Sequence, residues 1–159
     1  MEPLALAAQL EASPLGLWAR GSAVGYPLAN LAHLLGLVML IGGIGVLDLR
    51  LLGLFRRLPA GVLAQSLIPV AAAGLALMIL SGVVMFAADA GPLARSPLFR
   101  WKLALIAAAL ANVAVLHAMW RRRDARWSGG VPPAARLVAA ASLGLWLAAA
   151  TLGRLIAYA

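Results

Sequence analysis

The chain has 159 residues, of which 64% are hydrophobic and 11% charged, and its mean hydropathy is +0.98. A soluble domain carries about a quarter of its residues as Asp, Glu, Lys or Arg, so this composition excludes a water-soluble globule and predicts a chain lying mostly in a lipid bilayer. The excess of 13 Lys and Arg over 5 Asp and Glu gathers at the ends of apolar runs, which argues for membrane topology and against a nucleic-acid partner, and the absence of cysteine excludes a disulfide-linked partner, thiolate metal sites and covalent haem attachment.

Residues 1–24 read as an N-terminal interfacial segment. Leu6, Leu10, Leu17 and Trp18, with Glu11 and Arg20, suit a short helix on the membrane surface, with Ser13-Pro14 as a break or restart. Glu2 and Glu11 stand where a signal peptide would be basic, so the segment is expected to stay as an anchor. Residues 25–159 read as a four-span domain. A helix needs about 20 apolar residues to cross a hydrocarbon core of roughly 30 Å, and four stretches qualify: Pro27–Leu47, Leu67–Ala88, Phe99–Trp120 and Leu137–Ala157. Lipid leaves strands with unsatisfied backbone, so all four are expected as helices.

Arg50, Arg56 and Arg57 flank the first connection, and Arg121, Arg122, Arg123, Arg126 and Arg136 flank the third. By the positive-inside rule those connections face the cytoplasm, while both chain ends and the second connection, around Ala90 to Leu98, face the other side. Gly129-Gly130-Val131-Pro132-Pro133 is the clearest linker and ends any helix that carries the arginines. The predicted fold is all-α: an integral membrane antiparallel four-helix bundle with a short N-terminal interfacial helix.

Few polar residues interrupt the spans. On the first, Ala29, His33, Gly36, Leu40 and Gly43 share a stripe, which fits close helix packing through small residues or a groove for a flat cofactor such as a porphyrin. On the second, Gly74, Met78, Gly82, Met85 and Asp89 form a similar stripe with Ser81 beside it. Met85 matches His33 in depth, and its thioether is either flexible packing or a ligand to haem iron or Cu(I). The third span opens with Phe99-Arg100-Trp101-Lys102, whose cations either snorkel to the interface or neutralise haem propionates. Arg154 ends the uncharged run of the fourth span at the same level, with Asp89 or an anionic ligand as expected partner. Asp48 is expected to pair with Arg50 or a neighbouring arginine.

His117 lies about one turn from Arg121, near the opposite boundary from His33. From His33 to Asp48 is 15 residues, roughly 22 Å of helix, so the two histidines differ in depth by about 15 Å or more and do not suit one haem. His117 therefore reads as an interfacial polar residue.

Glu11-Ala-Ser-Pro-Leu-Gly-Leu-Trp-Ala-Arg20, Tyr26-Pro27, His33-Leu-Leu-Gly36 and Asp48-Leu-Arg50-Leu-Leu-Gly53, continued by Phe99-Arg-Trp-Lys102-Leu and Gly153-Arg154-Leu-Ile-Ala-Tyr158, resemble a bacterial family of small four-helix membrane proteins of unknown function. More distantly, the chain is similar to the copper-resistance D proteins and the J-type protoporphyrinogen oxidases. Both groups pair a histidine early in one helix with a lysine opening a later helix, positions that fall here on His33 and Lys102. The resemblance to the oxidases implies haem b held by a membrane histidine, and the resemblance as a whole implies a bacterial inner-membrane location.

The function expected from these residues is a membrane-embedded b-type haem protein in electron transfer, with His33 as axial ligand, Met85 as second ligand, and Arg100, Lys102 and Arg154 facing the propionates. The alternatives are a non-catalytic accessory or scaffold subunit of a larger membrane complex, a copper-handling protein using His33, Met78 and Met85, and, fourth, an enzyme acting on porphyrin. Hydrolase and transferase readings lack paired carboxylates, a nucleophile with its base, and a phosphate-binding glycine loop.

Overall fold

The computed structural model describes residues 3–122 and 130–158. Glu2, Arg123, Arg126 and Gly129, which entered the sequence argument, lie outside the described residues, and nothing is described of the side chains of Arg121 and Arg122. The described residues form seven helices and no strand: α1 (Pro3–Glu11), α2 (Pro14–Gly21), α3 (Gly25–Leu52), α4 (Ala60–Ala88), α5 (Ala90–Arg95), α6 (Pro97–Arg122) and α7 (Pro133–Ile156). Four of them, α3, α4, α6 and α7, are long and apolar enough to cross a membrane. All four run past the stretches that announce them: α3 carries Asp48 and Arg50 inside its last turns, α4 begins seven residues before Leu67, α6 extends two residues at each end, and α7 begins four residues before Leu137. The expected second connection also contains a short helix, α5.

Local chemistry marks the helix ends. Ser13 caps α2, its Oγ accepting the Gly16 N–H at 3.3 Å, and Pro14 fills the first turn, where a missing N–H costs nothing. The break expected at Ser13-Pro14 thus divides the N-terminal segment into two helices. At the end of α3, Gly53 takes φ +112°, so that its N–H reaches the Arg50 carbonyl and the Leu54 N–H reaches that of Leu49, a Schellman closure. Pro132 is extended and Pro133 opens α7.

The tightest packing joins α3 to α4. A methyl group added at Gly36 would lie 2.7 Å from the Gly74 carbonyl oxygen, and one at Gly74 would lie 2.6 Å from that of Gly36. At Gly43 it would meet the Leu67 carbonyl and Ala71 Cβ, both at 3.0 Å. The two backbones are in direct contact, with residue numbers rising along α3 as they fall along α4. This is the close approach that the small-residue stripe permits, and it brings the atoms of two backbones within dispersion range. α7 packs on α3 and α6 on α7, while no Cα of α6 comes within 8 Å of one on α3 or α4. Leu40, Ala71, Ala109 and Trp146, one residue from each long helix, bring the four together in a buried core. Near the Lys102 end, Phe86 of α4 stacks on Phe99 of α6 with ring centroids 5.3 Å apart.

The N-terminal helices dock on that same end. α1 packs on α5 and α2 on α4, where a methyl group at Gly16 would lie 2.7 Å from the Ala87 carbonyl. Glu11 fastens the dock from two sides. One carboxylate oxygen accepts the Gly91 N–H at 2.9 Å, and the other pairs with Arg20 at 2.7 Å.

Candidate functional site

His33 lies in the third turn of α3, half-buried, with Nδ1 3.0 Å from Ser81 Oγ of α4. Ser81 donates its one hydroxyl proton to the Leu77 carbonyl at 2.6 Å, a bond available to any serine on a helix. With that proton committed, Ser81 Oγ accepts from His33 Nδ1–H. The Met78 carbonyl is a second hydrogen-bond partner of the imidazole, so two groups of α4 fix the orientation of the ring. Gly82 stands beside the ring, where a methyl group would lie 3.5 Å from His33 Cε1.

Lys102 reaches the same region from α6. Its half-buried side chain lies over Gly153 of α7, where a methyl group would be 3.3 Å from Nζ, and its ammonium is within electrostatic reach of the His33 imidazole. Four helices therefore contribute here: α3 with His33, α4 with Ser81 and Gly82, α6 with Lys102 and α7 with Gly153. The two basic side chains thus lie against glycine backbone, His33 at Gly82 and Lys102 at Gly153. Met85 is one turn beyond Ser81, about 6 Å further along α4, and half-buried. Met78 is committed to the seam, its Cγ only 2.8 Å from where a Gly36 methyl group would be.

The other cations take different places. Arg100 stands on the exposed face of α6, beside a shallow cleft with Pro97, Trp101 and Ala104, roughly 200° around the helix from Lys102. Arg154 does not pair with Asp89. Its guanidinium hydrogen-bonds the Tyr158 hydroxyl and lies 4.6 Å from that ring's centroid, because a neighbour four residues on, in the turn that follows α7, is reached without crossing the bundle. His117 is exposed near the far end of α6. Among the described residues no group of three or more His, Asp or Glu side chains could hold a metal ion, so any metal at His33 would draw its other ligands from methionine or from a cofactor.

Asp48 also departs from expectation. It is 1% exposed and bonds Ser142 of α7, not an arginine. Arg50 is two residues on and points away, donating to the carbonyls of Leu58 at 2.6 Å and Arg56 at 3.4 Å in the α3–α4 turn. Asp48 Oδ2 and Trp146 Nε1 are the buried side-chain polar atoms without a hydrogen-bond partner among the described residues.

The model of one protein family matches residues 11–159. The chain belongs to DUF6644, a family of unknown function. No curated protein and no solved structure matches this DUF6644 chain, so the likeness to copper-resistance D proteins and J-type protoporphyrinogen oxidases rests on His33 and Lys102 alone. The match begins at Glu11, and so includes the residue that docks the N-terminal helices. Sequence reasoning placed His33 and Lys102 correctly at one level but missed the partners that define their settings in this DUF6644 chain: Ser81, Gly153, and, for Asp48, Ser142. The available signal was the rarity of serine within the spans, since a hydroxyl there needs a partner.

Proposed function

We propose that this chain is a multi-pass protein of the bacterial inner membrane, an antiparallel four-helix bundle with both termini on the non-cytoplasmic side, and that it holds a b-type haem for electron transfer. The orientation rests on Arg50, Arg56, Arg57 and Arg136, which flank connections at one end of the bundle. The haem reading is carried by one observation: a half-buried histidine inside α3 has its Nδ1 3.0 Å from Ser81 Oγ of α4, which holds the ring in a fixed orientation. Imidazoles that bind metals are held in this way, with the second nitrogen fixed by a hydrogen bond that orients the ring.

His33 would hold the iron and Met85 would supply the second axial donor. Lys102 would meet a propionate from inside, with Arg100 and Arg154 at the same end of their helices to meet propionates from outside. A bound haem supplies a reversible one-electron couple. The protein's own part is to orient the imidazole, exclude water and balance the propionate charge.

A second reading, a non-catalytic accessory subunit, is favoured by the long uncovered face of α6, where Trp101, Leu103, Leu110 and Val115 are exposed. The absorption spectrum of the purified protein separates the two. A Soret band that shifts on dithionite reduction, is lost in His33→Ala and is kept in His117→Ala is the expected result. A wild-type protein without a Soret band, or one that loses it in His117→Ala and keeps it in His33→Ala, overturns the haem assignment in favour of the accessory subunit.

A further inference from the structure

At the end of the bundle away from His33, a cavity of about 410 Å³ opens where α3, α4, α6 and α7 meet their connections. Three arginines line it: Arg50 from the last turn of α3, Arg56 from the α3–α4 turn, and Arg136 from the first turn of α7. No carboxylate lines it among the described residues. The described acids lie elsewhere, with Glu11 on Arg20, Asp48 buried on Ser142 and Asp89 at the start of α5. Three like charges around one concavity repel one another unless an anion occupies the space.

Two of the three are held in place by the backbone. Arg50 donates to the Leu58 and Arg56 carbonyls, and Arg56 Nε donates to Gly53 at 2.9 Å, which uses only part of each guanidinium's five N–H groups. The Arg136 guanidinium makes no hydrogen bond or ion pair among the described residues, and its whole fork is available. The first turn of α4 adds backbone N–H groups without intrahelical partners at Ala60 and Gly61, and nothing lies within 4 Å of the space a Gly61 methyl group would take. The rest of the lining is apolar or amphipathic, with Leu51, Val131 and Trp120. Arginine forks and helix-start N–H groups recognise phosphate oxygens, and an apolar wall with a tryptophan suits the glycerol and upper acyl region beneath a phosphate.

We propose that this cavity binds a phosphate-bearing anion, with the headgroup of an anionic phospholipid as the ligand that its lining and its place at the edge of the apolar helices fit best. The site is independent of the haem reading. Phosphate oxygens bridge Arg136 and the free N–H groups of Arg50 and Arg56, and the connections at this end are drawn together around the lipid.

The test uses the full-length protein in a maltoside detergent, titrated with dioctanoyl phosphatidylglycerol, dioctanoyl phosphatidylcholine and inorganic phosphate, with tryptophan fluorescence as readout. Phosphatidylglycerol is expected to bind saturably and at least about tenfold more tightly than phosphatidylcholine. Arg136→Gln should weaken it about tenfold, the effect of losing a charge-assisted hydrogen bond, while Arg57→Gln, the same charge change outside the cavity, should alter it less than about twofold. Circular dichroism confirms that each variant keeps its helices, and Arg56→Gln replaces Arg136→Gln if that variant fails to fold. Saturable binding of inorganic phosphate that depends on Arg136, with phosphatidylglycerol no better than phosphatidylcholine, supports the phosphate site and assigns it a soluble source. Equal binding of the two lipids without phosphate binding, or equal effects of Arg136→Gln and Arg57→Gln, overturns the proposal.

Discussion

The two ends of α3 treat a polar side chain in opposite ways. Near its start, His33 is met by a serine from α4 and stays only half-buried, beside Gly82 and within electrostatic reach of Lys102. Near its end, Asp48 is met by a serine from α7 and is sealed, at 1% exposure, with its second oxygen unpartnered. The partner chemistry is the same and the outcome differs with what stands behind it. His33 stays half-buried against the Gly82 backbone, whereas the α3/α7 interface closes over Asp48. A hydroxyl from a neighbouring helix can thus prepare a group to bind something, or hold a group inside a wall, and the packing of the remaining helices decides which.

The comparison depends first on the seam between the two ends. Gly74→Leu drives a side chain into the Gly36 backbone and should cost about 3 kcal/mol, read as a lowered thermal midpoint in detergent. A midpoint unchanged from wild type would mean that the α3/α4 contact is not the close one described. Next comes the sealed end. Asp48→Ala leaves Ser142 without its partner and opens a void, at about 2 kcal/mol, whereas Asp48→Asn keeps shape and hydrogen bonding and should stay within about 1 kcal/mol of wild type. If the two variants lose equal stability, the carboxyl group has a role that the Ser142 bond does not explain.

The open end is sharpened by Ser81→Ala, which frees the His33 ring to rotate. Haem retention, followed by the Soret absorbance left after transfer to apomyoglobin, should fall at least about tenfold in affinity with little change in the thermal midpoint. Equal retention would make Ser81 a packing residue only. The smallest effect is expected from Arg154→Gln. The guanidinium is exposed and holds only Tyr158 among the described residues, so the thermal midpoint should reflect no more than about 0.5 kcal/mol. A larger loss would place Arg154 in the His33 site itself.

Much of the architecture was legible because it depends on local properties. Apolar length located all four long helices, Ser13-Pro14 marked the break between α1 and α2, and the glycine stripe on α3 anticipated a close neighbour. The errors share one cause. Asp48 and Arg50 are adjacent in text, but two residues on a helix are turned about 200° apart, and the arginine found backbone carbonyls in its own turn. Level along the bundle matches Arg154 to Asp89, yet Tyr158, in the turn just after α7, is nearer in the chain and takes the guanidinium. Glu11 was read as part of an amphipathic surface, and its bond to the Gly91 N–H, 80 residues away, has no local signature.

By itself, then, the sequence determined how many helices are long and apolar enough to span a membrane, where they start and stop to within seven residues, and which end of the chain's connections is basic, since hydropathy, capping and charge act over a turn or two of chain. Only the tertiary structure decided that Ser81 orients His33, that Lys102 and not Arg100 faces it, that Ser142 holds Asp48, and that three arginines share one cavity. Each of these depends on the angle and depth at which separate helices meet. That is a matter of small-residue contacts such as Gly36 against Gly74, whose pairing is set by the fit of whole surfaces rather than by any segment alone.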